Sequence, residues 1–200
     1  MPSAHALAPS HRATSPRRAH RLAATTFLAA LGALLLLPAA AGAAGPYPKL
    51  EGLALSLLNC TRTGGWVQED GSCDGRGSGQ YSAYVKPIPM SEAIAAGVAR
   101  PYALRLAKAD ACEHSLAGTS VDERFAEAGF DGPIRGESIG CSGGYTVRQM
   151  VIRTHRMMQS EQSYDGWHWR NIKDRDWRQV GIGVQSSGRD SRVVYDFYGR

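Results

Sequence analysis

The stretch Cys112 to Cys141, CEHSLAGTSVDERFAEAGFDGPIRGESIGC, decides how the rest of the chain is read. His114 stands just inside the first cysteine, and Glu137, in Gly136-Glu137-Ser138-Ile139, stands just before the second. A disulfide between the two cysteines would by covalency alone bring imidazole and carboxylate within a few residues' reach. Between them, Ser120 precedes Glu123 with the spacing of a capping box, which predicts a short helix ending at Gly129. A second polar cluster, Gly166-Trp167-His168-Trp169-Arg170-Asn171-Ile172, follows further along, so two histidines and at least one carboxylate are available to meet.

The chain has 200 residues and four cysteines, Cys60, Cys73, Cys112 and Cys141. Residues 1–44 read as a secretory leader: Arg12, Arg17, Arg18 and Arg21 precede an apolar run from Leu22 to Leu37 that gives way to small residues up to Ala44. Gly32 and Pro38 interrupt or end that run short of the roughly 20 residues of a spanning helix, which argues against an uncleaved anchor. Residues 45–200 then form a single domain. The leader's four arginines account for most of the formal net charge of +5, so the exported part is nearly neutral. It lacks the clustered basic face that a nucleic-acid or anionic-membrane partner would require.

All four cysteines fall in the exported part, where thiols oxidise, and an even count reads as two disulfides. Three pairings are open. Cys60–Cys73 with Cys112–Cys141 is the expected one, because each closes a loop rich in Gly, Asp and Ser that is otherwise costly to order. In the chain-entropy account each is worth roughly 3 to 3.5 kcal/mol. A cysteine metal site would need closely spaced pairs, which are absent.

Outward from the central stretch, leucines at three- and four-residue intervals predict an amphipathic helix over Tyr47 to Asn59. Residues 60–80 read as a disulfide-pinned loop and residues 81–90 as extended chain around Pro87 and Pro89. A helix is expected from Ser91 to Ala99, and a further one from Pro101 to about His114. Tyr145 to Gln159 is predicted helical, with Val147, Met150, Val151, Thr154, Met157 and Met158 as its core stripe, and His155 within it as a structural residue. Trp177 to Gln185 and Arg192 to Tyr198 read as an antiparallel hairpin. Helices first and paired strands last indicate an α+β domain.

Three chemistries present themselves. A neutral imidazole beside a carboxylate suits a divalent cation, or a water held between base and acid, and His168 is a candidate third ligand; no HExxH occurs. A histidine in a polar cleft more often makes only a hydrogen bond. Gly136-Glu137-Ser138-Ile139-Gly140 also spells G-x-S-x-G, but Cys141-Ser142-Gly143-Gly144 intervene where a nucleophile elbow opens into a helix. Trp167 and Trp169 suit packing or a ligand platform, and Arg124 reads as partner to a carboxylate or as a helix cap.

The motifs together resemble the CAP superfamily, the SCP-like fold of cysteine-rich secretory, antigen 5 and pathogenesis-related proteins. Leu58-Asn59-Cys60-Thr61-Arg62 is similar to its first-helix signature. His114-Ser115, Arg124, Ala128-Gly129-Phe130 and Gly136-Glu137-Ser138-Ile139 follow its central segment, with Ser138 where the family has Asn. Gly166 to Ile172 with Val180-Gly181-Ile182-Gly183 resembles the second-histidine motif and its following strand. The resemblance implies an α-β-α sandwich around an antiparallel sheet, with a cleft where two histidines and two acidic residues face one another. It carries over His114, Glu137 and His168, and either Ser160 or Glu161 at the second acidic position, of which only Glu161 has a carboxylate. On that basis we expect a secreted binding protein able to take Zn2+ or another divalent cation at His114, His168, Glu137 and Glu161. The alternatives are a metal-assisted, peptidase-like hydrolase with Glu137, His114 and His168 as its catalytic groups, and a carrier of lipid or sterol. The expected partner is a small ligand, a lipid or a cell-surface component.

Overall fold

Burial on both faces of the last strand sets the layers. The computed structural model describes residues 46–188 and 190–199; the leader read at residues 1–44 lies outside them. In chain order the elements are α1 (Pro48–Arg62), β1 (Trp66–Val67), β2 (Cys73–Asp74), α2 (Glu92–Ile94), a π-helical turn (Ala95–Ala99), α3 (Arg100–Ala109), α4 (Val121–Glu127), β3 (Ile134–Gly143), α5 (Val147–Ser160), α6 (Trp167–Lys173), β4 (Trp177–Ser187) and β5 (Asp190–Gly199). Three strands form an antiparallel sheet in the order β3-β5-β4.

Side chains alternate across a strand, so β5 serves two cores at once. Val193, Tyr195 and Phe197 join Leu57 and Leu58 of α1, Val151, Ile152 and Met158 of α5, and Ile172 of α6. Val194 packs with Tyr102, Ala103 and Leu106 of α3 and Ile139 of β3, and Tyr198 with Ile94, Val98 and Phe125. The result is an α-β-α arrangement with helices on both faces of an antiparallel sheet. No described helix is long and apolar enough to cross a membrane.

Several elements differ from the sequence reading. Residues 60–80, read as loop, contain the small β1–β2 hairpin, closed by Cys60–Cys73. The two helices expected on either side of Pro101 run together, with the π turn falling just before the proline. That run stops at Ala109, where Asp110 adopts a left-handed conformation (φ 50°), so His114 lies in a loop and not at a helix end. Met157, placed in the core stripe, is 43% exposed. The capping boxes Ser120/Glu123 and Thr146/Gln149 open α4 and α5.

The first-helix signature is a scaffold. Asn59 grips the Ile88 backbone through both ends of its amide, at 2.9 and 3.0 Å. Buried Arg62 donates to the carbonyls of Lys86, Ile172 and Asp174, and burial pulls its pKa down to about 10. Lys173 donates to the Thr61, Arg62 and Ala83 carbonyls, and burial, with Arg62 nearby, lowers it to about 8.

Candidate functional site

The end of α3, the disulfide and β3 together place the first histidine. Cys112 is bonded to Cys141 of β3, the pairing expected from sequence. The loop that follows is pinned by Tyr102, whose hydroxyl donates to the Glu113 carbonyl at 2.6 Å and accepts from the Leu116 N–H at 3.1 Å. Arg124 of α4 lies over the Tyr102 ring, 3.4 Å from its centroid, and donates to the carbonyls of His114 and Thr119. Its remaining terminal nitrogen reaches Glu137 Oε2 at 2.5 Å, the carboxylate partnership read for Arg124. Glu137 Oε1 accepts from His114 Nδ1 at 2.7 Å. The Glu137 side chain is 1% exposed and that of His114 55%, so a buried carboxylate holds a half-exposed ring by one edge.

The second pair forms where α5 gives way to α6. Glu161 opens a 3-10 turn, Glu161–Tyr164, and Gly166 caps α6. Both Glu161 oxygens take His168: Oε2 from its backbone N–H at 2.9 Å and Oε1 from Nδ1 at 2.7 Å. Burial would raise the Glu161 pKa, but these bonds outweigh it and hold the carboxyl below its usual range. Gly166 is required by this contact, since a Cβ there would lie 2.4 Å from Glu161 Oε2. Of Ser160 and Glu161, it is Glu161 that meets the histidine; Ser160 hydrogen-bonds the Met157 carbonyl.

Asn171, one turn after His168, connects the pairs through β3. Its amide donates to the Glu137 carbonyl at 3.0 Å and to Ser138 Oγ at 3.1 Å, while its own carbonyl accepts from Trp177 Nε1. Ser138 thus engages the segment that carries the second histidine despite lacking an amide. It is buried in mid-strand and not at a strand-to-helix turn, which removes the nucleophile-elbow reading.

A carboxylate only accepts, so each Nδ1 carries its hydrogen and the neutral rings keep a lone pair at Nε2. That is the donor chemistry of a metal-binding histidine whose other nitrogen is held by a carboxylate. The number of ligands is smaller than the sequence suggested. Glu137 and Glu161 are each spent on their own histidine, and among the described residues no group of three or more His, Cys, Asp and Glu could hold an ion. The residues therefore do not fit a zinc with three protein ligands.

Sequence reasoning missed Asp196. It lies fully buried on β5, directly across the ladder from Glu137. Burial first, and then the Glu137 charge, push its carboxyl well above the usual range, with Arg124 offsetting part. An acid alone in Val193-Val194-Tyr195-Asp196-Phe197-Tyr198 was the available signal. His155, read as structural, is fully buried and bonded through Nε2 to Thr61 at 2.8 Å.

Among solved structures, an outer surface protein of Borrelia burgdorferi superposes with a TM-score of 0.57 at 14% identity, over 80% of this chain and 98% of that one. An extracellular SCP-domain protein of Bacillus anthracis matches at 0.46 and 11% identity over 58% of this chain and 35% of its own. NaASP2, solved with Zn2+, matches at 0.46 and 15% identity over 80% and 82%. The chain shares its fold with the Borrelia protein. That likeness is one of fold alone, and the two superpositions at 0.46 carry nothing further about this chain. No protein-family model and no curated protein matches the sequence.

Proposed function

We propose that the chain is an exported, extracellular binding protein with a CAP-like fold, and that its ligand is taken at the outward edges of His114 and His168. The observation that best supports this is the pairing of each Nδ1–H with its own carboxylate at 2.7 Å, which sets the tautomer and leaves Nε2 as the acceptor. A divalent cation such as Zn2+ is the ligand this chemistry suits, with His114 and His168 as its holders and Glu137 and Glu161 as the groups that orient the rings. With two protein ligands the ion would be exchangeable, and when bound it would supply positive charge for an anionic partner. Export rests on the leader read at residues 1–44.

Hydrolysis with Glu137 as base is less well supported. Both of its oxygens already accept, one from Arg124 and one from His114, so taking a proton from water would loosen the loop those bonds hold. Calorimetric titration with zinc tests the binding reading. The parent protein is expected to bind, His114→Ala with His168→Ala to lose binding, and Glu161→Gln to weaken it by about tenfold, the usual effect of removing an orienting carboxylate. Unchanged affinity in the double histidine variant would remove the cation from the proposal.

A further inference from the structure

A depression of about 390 Å³ lies between the end of β3 and α5, lined by Cys141, Ser142, Arg153, Thr154, Arg156 and Met157. Its size is that of a small-molecule site. None of His114, Glu137, Glu161 and His168 is among its lining residues. Among the described residues, two guanidinium groups line it and no carboxylate does.

Both arginines come from one face of α5, three residues apart, where side chains are neighbours. Each is held without being used up. Arg153 stacks on the Tyr145 ring, 4.3 Å from its centroid, a contact that orients the guanidinium plane and leaves its N–H groups free. Arg156 meets Glu69 at 3.6 Å, with the Glu69 side chain 87% exposed, an ion pair of the weak, solvated kind that an incoming anion displaces easily. Ser142 follows the disulfide-anchored Cys141 on β3, the edge strand of the sheet, and offers a hydroxyl at the rim. Met157, exposed against the expectation from its helix position, supplies an apolar wall beside the charges.

We propose that this depression is a second binding site, for a phosphoryl or sulfuryl group carried on an organic body. A tetrahedral oxyanion offers acceptors to two guanidinium forks and a hydroxyl together, which a halide or a single carboxylate does not. The apolar wall favours an ester of a sugar or a lipid over the free ion. The site stands independently of the histidine pairs.

The test follows backbone and arginine side-chain NMR signals of the protein as inorganic phosphate is added, with chloride at equal ionic strength as reference. Shifts are expected at Cys141, Ser142, Arg153 and Arg156. Arg153→Gln with Arg156→Gln should lower the affinity at least tenfold, while Arg178→Gln, an exposed arginine elsewhere, leaves it unchanged. Both glutamine changes lie on solvent-facing side chains, and unaltered melting temperatures would confirm the fold. His114→Ala with His168→Ala should bind phosphate as the parent does, which keeps this result separate from the zinc experiment. A sulfated oligosaccharide and vesicles of phosphatidylglycerol then distinguish a glycan ester from a lipid headgroup. Phosphate shifts spread evenly over all arginines, equal shifts with chloride, or affinity unaffected by the double glutamine variant would each overturn the site.

Discussion

Arg124 makes the first histidine pair possible. A guanidinium with 5% side-chain exposure neutralises Glu137, stacks on Tyr102 and takes the carbonyls of His114 and Thr119, so one residue ties α3, α4, β3 and the loop between them. Removing one member of a buried ion pair leaves the other charged and unsatisfied, at a cost of about 3–5 kcal/mol. Arg124→Met should therefore destabilise the protein by that order in urea unfolding. Adding Glu137→Gln should return part of the loss, because the stranded charge is then gone. Strict additivity of the two changes would show that the pair does not act as a unit.

The elements show what the sequence could and could not reveal. α1 and α5 were legible from three- and four-residue apolar spacing, and the β4–β5 hairpin from β-branched and aromatic runs. β3 was not, since an edge strand of Gly136-Glu137-Ser138-Ile139-Gly140-Cys141-Ser142-Gly143 has few strand-forming side chains; its glycines are there because neighbours approach closely. A Cβ at Gly140 would lie 1.9 Å from Thr154 Cγ2 of α5. α6 escaped because it is seven residues long and crowded with tryptophans. His114 and Glu137 were legible as a pair through the disulfide, whereas Asp196 required knowledge of the strand register. The same close approach governs the π turn, where a Cβ at Gly183 would meet the Ala99 carbonyl oxygen at 2.4 Å and the Arg100 nitrogen at 2.7 Å. Backbone cannot step aside as a flexible side chain does, so Gly183→Ala should cost about 1–3 kcal/mol, the range for overpacking. Gly52, in α1 with nothing within 4 Å of its would-be Cβ, is the contrasting case. There alanine should add about 0.5–1 kcal/mol by helix propensity. Thermal melts of the two variants that moved in the same direction would contradict this account of the π turn.

At the scale of the whole molecule, stability as a function of pH sums groups that folding drives in opposite directions. His155 is fully buried, and burial pushes its pKa from 6.5 down to about 3. Below 6.5 the unfolded chain gains a proton that the folded one refuses, so this contribution is present at neutral pH and declines by about 1.4 kcal/mol per unit as the solution is acidified. Glu161, held below its usual range, loses its contribution in the same direction as its carboxylate protonates. Asp196 opposes them: the fold keeps its proton at pH values where the unfolded chain has released it, so its contribution falls as pH rises above 3.8. Between 3.8 and 6.5 the slopes of His155 and Asp196 cancel in part, which masks each in the parent protein. Two variants separate them in urea titrations from pH 4 to pH 7. The stability of the parent relative to His155→Gln should shrink by about 1.4 kcal/mol for each unit below 6.5, because the variant has no imidazole to charge. Asp196→Asn, which carries no proton to hold, should decline more steeply on acidification than the parent. A parent-to-His155→Gln difference that stays constant across that range would mean the imidazole titrates alike in both states, and that the interior of α5 is open to water.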